Sequence, residues 1–277
     1  MPNDSRKSYH ELNGQVHIFT KMSLVGKGDT MANVRMLNAG ERGLVVEFGS
    51  VIDAVINAQV HRLAKILIEE MKESVLEVVP TYRSLFVYFN PLITERQLLI
   101  ERITDRLSTM QTDSLTESPS RVVTIPVCYG GEFGPDIEFV AQHNKISVHE
   151  VIEIHTSTPY LVYMLGFTPG FPYLGGMSER IATPRLDKPR VRIPAGSVGI
   201  GGKQTGIYPI DSPGGWQLIG RTPLRAFDPS AANPFLFAAG DYLQFKSIDT
   251  EEYRETAGQV ESGRYAPIIN NYAQRSG

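Results

Sequence analysis

Apolar positions change their spacing along this chain, and each change marks a different kind of element. Val34 to Leu37 and Leu44 to Phe48 are short apolar runs joined by Asn38-Ala39-Gly40-Glu41-Arg42-Gly43, which predicts two strands and a turn. Ile56, Val60, Leu63, Leu67 and Met71 then recur at three- and four-residue spacing, with Arg62, Lys65, Glu69, Glu70 and Lys72 largely off that stripe. Such spacing gathers the apolar side chains on one face of a helix. Val75 to Val79 and Leu85 to Phe89 return to strand-like runs around Pro80-Thr81-Tyr82-Arg83, and Leu99, Ile103, Leu107 and Met110 give a second helical face. Thr94, followed by Gln97, predicts a capping box where that helix starts. Strands, helix, strands and helix predict a small α+β domain of the split βαβ kind over residues 32–110.

Residues 1–31 lack a sustained period and read as an N-terminal arm. Residues 111–120 are polar, contain Pro119 and have Leu115 as their only large aliphatic residue, which suits a linker. Beyond it, Val122 to Cys128 is a predicted strand, and Pro135-Asp136 opens a short helix reaching His143. Ser147 with Glu150 matches a capping box, so Val148 to Thr156 is a predicted second helix. From Tyr160 the pattern turns to short strands punctuated by Gly and Pro: Tyr160 to Leu165, Val191 to Ile193, Gly206 to Ile210, Gln217 to Ile219, Phe235 to Phe237 and Tyr242 to Phe245. A closed or nearly closed β-barrel over 121–248 buries such strands without long exposed edges. Residues 249–277 form a polar C-terminal tail, either docked or disordered.

Gly and Pro are densest between Phe167 and Trp216, where Phe167, Phe171, Tyr173 and Trp216 stand among tight turns. Aromatic side chains fixed by bent backbone make either a ligand face or a barrel core. Charge narrows the partners: 30 acidic and 27 basic residues leave a net charge of -3, too weak a field to attract nucleic acid or anionic lipid by itself. The densest basic run is Arg180, Arg185, Lys188, Arg190 and Arg192. A single cysteine, Cys128, excludes an internal disulfide and fits a reducing compartment. No apolar stretch reaches the roughly 18 residues of a membrane span, and Met1 to His10 lacks the apolar segment of a signal peptide, so a cytoplasmic protein is expected.

Familiar chemistries are mostly excluded. Gly196, Gly201, Gly202 and Lys203 fail the phosphate-loop register, because Ser197 takes the first glycine position and Gln204 replaces the magnesium-holding hydroxyl. The amides of Gly199 to Gly202 form either an anion nest or a barrel hairpin that needs glycine for its geometry. His143, His149 and His155 are six residues apart, about 120 degrees of helix rotation each, so they share no face and no metal site is expected. His155, at a predicted helix end, either exchanges a proton with a ligand or interacts with the helix C-terminus. Arg185 and Arg192 either clamp an anion or form a solvated surface. Gln204, between glycines, offers a donor and an acceptor for an amide, or stabilises its own turn.

Gly166-Phe167-Thr168-Pro169-Gly170-Phe171-Pro172-Tyr173-Leu174-Gly175, Pro194-Ala195-Gly196-Ser197-Val198-Gly199-Ile200-Gly201-Gly202 with Gln204 to Pro209, and Pro213-Gly214-Gly215-Trp216-Gln217-Leu218-Ile219-Gly220 together resemble the signatures of the KipI family, also called allophanate hydrolase subunit 1. Phe227-Asp228-Pro229, Pro234 and Gly240-Asp241 extend the resemblance, which covers approximately Asn33 to Phe245. It implies an α+β N-terminal domain followed by a cyclophilin-like β-barrel. The family includes the B component of bacterial ATP-dependent 5-oxoprolinase. That branch implies ATP with Mg2+ at the level of a complex, a C-type subunit and a LamB/YcsF-like A-type subunit as partners, and 5-oxo-L-proline as substrate. On that reading His155, Gln204 and Arg192 are the catalytic candidates, and Phe167, Phe171, Tyr173, Arg185, Gly201, Gly202 and Trp216 line the substrate. Another branch resembles an inhibitor of a sensor histidine kinase that acts by protein contact. A third resembles carboxyltransferase modules of urea and allophanate metabolism.

Overall fold

The structure, a computed structural model, describes residues 34–112 and 121–271. The expected arm at 1–31, and the expected linker from residue 113 onward, lie outside the described residues. The chain divides into two compact units, Met1–Asp113 and Ser114–Gly277.

The first unit contains β1 (Arg35–Ala39), β2 (Gly43–Glu47), α1 (Ala54–Glu70), β3 (Val75–Pro80), β4 (Ser84–Phe89) and α2 (Arg96–Thr112). Its sheet has the order β1-β2-β4-β3, with every neighbouring pair antiparallel. Since β2 and β3 both oppose β4, they are parallel to each other with β4 between them, which is the split βαβ arrangement. The stripes of α1 and α2 bury Val60, Leu63, Leu67, Leu99 and Ile103 against the sheet residues Leu44, Leu85 and Val87. Asp53 starts α1 by accepting from the amides of Val55 and Ile56.

The capping box expected at Thr94 does not form. Asn90 organises the preceding turn, its carbonyl accepting from the amides of Ile93 and Thr94, and α2 begins only at Arg96. The Thr94 hydroxyl is buried without a hydrogen-bond partner, and Gln97 Nε2 donates instead to Glu101 Oε1 at 3.1 Å.

The second unit is built from β5 (Arg121–Tyr129), α3 (Ile137–Asn144), α4 (Val148–Thr156), β6 (Tyr160–Leu165), β7 (Pro172–Gly175), a 3-10 turn (Glu179–Ile181), β8 (Arg190–Ile193), β9 (Ser197–Gly201), β10 (Gln204–Ile207), β11 (Ser212–Gly214), β12 (Gln217–Arg221), β13 (Tyr242–Ile248), α5 (Thr250–Glu261) and β14 (Ile269–Asn271). The main sheet runs β10-β9-β12-β5-β13-β6-β7, mixed because β13 lies parallel to β5. Its two ends meet: a Cβ on Gly206 of β10 would sit 3.2 Å from the Pro172 carbonyl oxygen of β7. The sheet is therefore a nearly closed barrel, filled by Val123, Ile125, Val162, Ile200, Ile219 and Phe245. β8 and β11 pair separately as a short ribbon.

Three segments depart from the sequence reading. Pro172–Gly175 and Ser212–Gly214, expected as turns, are strands β7 and β11. Phe235 to Phe237, expected as a strand, makes a single bridge between Phe235 and Phe227. Asp228 turns the chain too tightly for more: its amide donates to the Pro234 carbonyl, and its side chain accepts from the Ser230 amide at 2.9 Å. The tail docks as far as residue 271, forming α5 capped by Asp249 and then β14 alongside Arg121 to Val123.

Candidate functional site

The three glycine- and proline-rich segments converge on one aromatic cluster in the second unit. Phe171 sits 5.4 Å from Tyr173, 5.6 Å from Tyr208 and 5.6 Å from Trp216 between ring centroids, all edge to face. Phe171, Tyr208 and Trp216 are buried, with Ile193 and Leu218 beside them, so the cluster is a packed plug. Phe167 extends it outward, its ring 5.5 Å from Phe171 while its side chain stays 65% exposed.

Trp216 explains the spacing of the glycines. A Cβ on Gly201 would lie 2.4 Å from the indole Nε1, and one on Gly206 would lie 3.1 Å from the ring. The indole lies across strands stripped of side chains to receive it. Of the two readings of Gly199 to Gly202, the structure shows the barrel hairpin, with β9 and β10 paired antiparallel, and not the nest. Gly199 to Gly201 belong to β9, and the Gly202 amide is taken by the Thr183 carbonyl at 2.8 Å. Gly201 is covered by Trp216, and Gly202 has no free amide for a ligand.

Asp136 holds the segment carrying Trp216. Its carboxylate accepts from the Leu218 amide at 2.6 Å and from Arg190 Nη2 at 2.7 Å. Gln217 Nε2 donates to the Pro184 carbonyl at 2.9 Å. In the sequence Asp136 reads only as a helix opener; its pairing partner, 54 residues away on β8, leaves no local trace.

His155 stands elsewhere, sealed inside the barrel at 0% exposure. Tyr129 Oη is 2.7 Å from its Nδ1, and Thr205 Oγ1 is 2.8 Å from its Nε2. The Thr205 hydroxyl donates its proton to the Gly199 carbonyl at 3.1 Å, so it accepts from His155 Nε2–H, and Nδ1 accepts from Tyr129. One tautomer satisfies every group in the chain. Burial among Tyr160 and Phe245 pushes the imidazole pKa down to about 3 and raises that of Tyr129. His155 is thus a neutral strut joining α4 to β5 and β10, with no path to a ligand as an acid or base. Nor does it carry the charge that a helix C-terminus would favour.

Gln204 neighbours Thr205 on β10, but alternation along a strand turns the two side chains to opposite faces. The structure therefore separates His155 from Gln204. Arg192 is 77% exposed and pairs with Asp211, Nε to Oδ2 at 2.7 Å. Arg190 pairs with Asp136, and Arg180 approaches Glu150 at 4.0 Å, so most of the basic run is neutralised locally. Arg185 differs: its guanidinium carbon lies 5.8 Å from the Trp216 ring centre, and it has no carboxylate partner among the described residues. Phe167, Phe171, Tyr173, Arg185 and Trp216 are hence brought together with Gly201 beneath the indole, whereas His155, Arg192 and Gly202 are engaged by other parts of the fold.

Cys128 is buried, and burial raises its thiol pKa; its Sγ is 3.9 Å from the Thr250 hydroxyl. Among the described residues no group of three His, Cys, Asp or Glu side chains is placed to hold a metal ion, and no helix is long and apolar enough to cross a membrane. The first unit has a cavity of about 420 Å³ lined in part by Met71, Ser74, Ile93, Leu98 and Arg102, which contains none of the candidate residues.

Residues 34–237 match the family described as carboxyltransferase domain, subdomain C and D. The chain is 46% identical over 224 residues to the 5-oxoprolinase B component of Bacillus subtilis (strain 168), covering 77% of this chain and 92% of that protein. It is 41% identical over 216 residues to the 5-oxoprolinase B component of Escherichia coli O157:H7, covering 78% and 96%. Among solved structures it is similar to TTHA0988, with a TM-score of 0.67 and 35% identity over 75% of this chain and 40% of that one. Similarity to the K. lactis urea amidolyase, with a TM-score of 0.70 at 22% identity over 86% of this chain and 16% of that one, shows the fold alone. The family match includes all three segments that meet at Trp216, and the identity to the two B components extends over nearly their whole length. The chain belongs to the carboxyltransferase subdomain C and D family, in the group of the 5-oxoprolinase B components.

Proposed function

We propose that this protein is the B component of an ATP-dependent 5-oxoprolinase, acting with a C-type subunit to activate 5-oxo-L-proline before an A-type subunit completes its hydrolysis to L-glutamate. The observation that carries this reading is the 46% identity to a 5-oxoprolinase B component over 92% of its length. A lactam resists direct attack by water because its carbonyl is a poor electrophile. In the step proposed, the lactam oxygen attacks the γ-phosphorus of ATP and ADP leaves; water then adds to the activated carbon, and release of phosphate and opening of the ring give glutamate.

The arrangement around Trp216 suits the substrate half of this chemistry. Arg185 is a cation without a carboxylate partner among the described residues, placed beside an aromatic wall, and would meet the carboxylate of 5-oxoproline. Tyr173 and Trp216 would border the ring, and Gln204 would meet its amide edge. His155 would act by positioning β10, which carries Gln204. A magnesium ion accompanying ATP has no cluster of ligands among the described residues of this chain. We also infer that the barrel is of the cyclophilin-like kind, a reading supported by its nearly closed mixed sheet.

Co-expression with the C-type and A-type partners tests the assignment. The purified three-protein complex is expected to release ADP and glutamate only when 5-oxo-L-proline and ATP are both supplied. A verified complex that consumes no ATP in response to 5-oxoproline overturns it.

A further inference from the structure

Phe167 adopts a left-handed backbone, with φ 62°, although it is bulky and 65% exposed. A non-glycine residue there is strained by roughly 1–2 kcal/mol. In the second unit, the other described residues at positive φ are glycines, except Lys145, which ends α3 in a left-handed cap. The Phe167 ring is therefore kept in a position where glycine would be easier, and its exposure shows that core burial does not account for it.

The next residue carries a second anomaly. Thr168 Oγ1 is buried and has no hydrogen-bond partner. Orphaned buried hydroxyls are uncommon, and each calls for a cause. The surrounding loop is tied together as one unit: the amides of Gly166 and Phe171 donate to the carbonyls of Phe171 and Thr168 at 3.1 and 3.0 Å. Behind it, a Cβ on Gly170 would lie 3.0 Å from Phe227 Cβ, so the loop is backed on that side. Phe167 meets Phe171, and Phe171 meets Tyr173 and Trp216, which connects Phe167 to the aromatic wall, with Thr168 next to it in the chain.

We propose that Phe167 and Thr168 form a ligand-binding element of this site: the ring covers a small lactam bearing a carboxylate, and a shift of the loop turns the Thr168 hydroxyl onto the amide or carboxylate of that ligand. This rests on the 5-oxoprolinase reading. Ligand closure gives the orphaned hydroxyl a partner and buries an exposed ring, so the loop is less satisfied without ligand than with it.

The test uses the complex with the C-type subunit and measures binding of 5-oxo-L-proline by calorimetry beside the melting temperature. Thr168→Val is expected to keep or raise the melting temperature while weakening binding about tenfold, and Thr168→Ser to restore binding. Phe167→Gly is expected to leave the melting temperature at or above that of the wild type while weakening binding by a similar factor. Wild-type affinity in both Thr168→Val and Phe167→Gly overturns the proposal while leaving the enzyme assignment standing. Failure of the unaltered complex to bind 5-oxo-L-proline and to turn it over overturns both.

Discussion

The barrel unit contains two clusters of similar size that solve opposite problems. Around His155, every donor and acceptor in the chain from Tyr129 through the imidazole and Thr205 to the Gly199 carbonyl has its partner, and the group is sealed. Around Trp216 the centre is equally dry, but its margin is unfinished, with an exposed strained phenylalanine, a threonine hydroxyl without a partner and an arginine lacking a carboxylate among the described residues. Completeness marks a scaffold, and incompleteness is what the proposed ligand would relieve. The histidine, which has the chemistry most often associated with catalysis, belongs to the scaffold.

The sharpest way to break this comparison is His155→Leu. It leaves the Tyr129 hydroxyl buried without its acceptor and removes the partner of Thr205, for an expected loss of about 3 kcal/mol of stability. It should also change acid sensitivity. Because the folded imidazole titrates near 3 and the unfolded one near 6.5, the unfolded state holds the extra proton between those values. Stability from this residue is intact above pH 6.5 and falls by about 1.4 kcal/mol per unit as pH drops toward 3. Denaturation midpoints measured from pH 7 to 4 should show that component in the wild type and not in the variant. An equal slope in both proteins would mean that His155 is not the sealed neutral group described.

A smaller effect separates the aromatic plug from a ligand nest. Gly201→Ala places a methyl where the indole lies, and it should cost about 1–3 kcal/mol and shift the fluorescence of Trp216, the single tryptophan. Were Gly201 a ligand contact with open space above it, stability and emission would be unchanged. The smallest effect is expected at the rim. Arg192→Ala removes an exposed pair with Asp211 and should change stability by less than about 1 kcal/mol and leave 5-oxoproline turnover by the complex unaltered. A large loss of turnover would return Arg192 to the site from which its pairing now removes it.

Legibility differed between the two units for a physical reason. In the first, each helix and strand buries one face of its own, so the stripe Ile56, Val60, Leu63, Leu67 predicted α1 and short apolar runs predicted β1 to β4. Thr94 misled because a cap depends on where the preceding turn ends, which Asn90 decides. In the second unit the spacing of Ser147 and Glu150 gave α4, but the glycines of β9 left a nest and a hairpin both open, because what decides between them is the packing of Trp216 over the strand. The gathering of aromatic residues into one place was foreseeable from their shared turns. The roles of Asp136, Tyr129 and Thr205 were not, since each acts through a partner distant in sequence: Leu218, His155 and again His155.

By itself the sequence determined where the chain is periodic, where it is punctuated, and which family its motifs resemble. These are local properties, set by neighbours three to ten residues apart. Tertiary structure decided which polar groups are satisfied. A histidine becomes a neutral strut or an exposed base according to what the barrel folds against its two nitrogens, and that choice is made by residues on β5 and β10. Hydrogen-bond satisfaction depends on three-dimensional proximity and the exclusion of water, and neither is encoded in spacing along the chain.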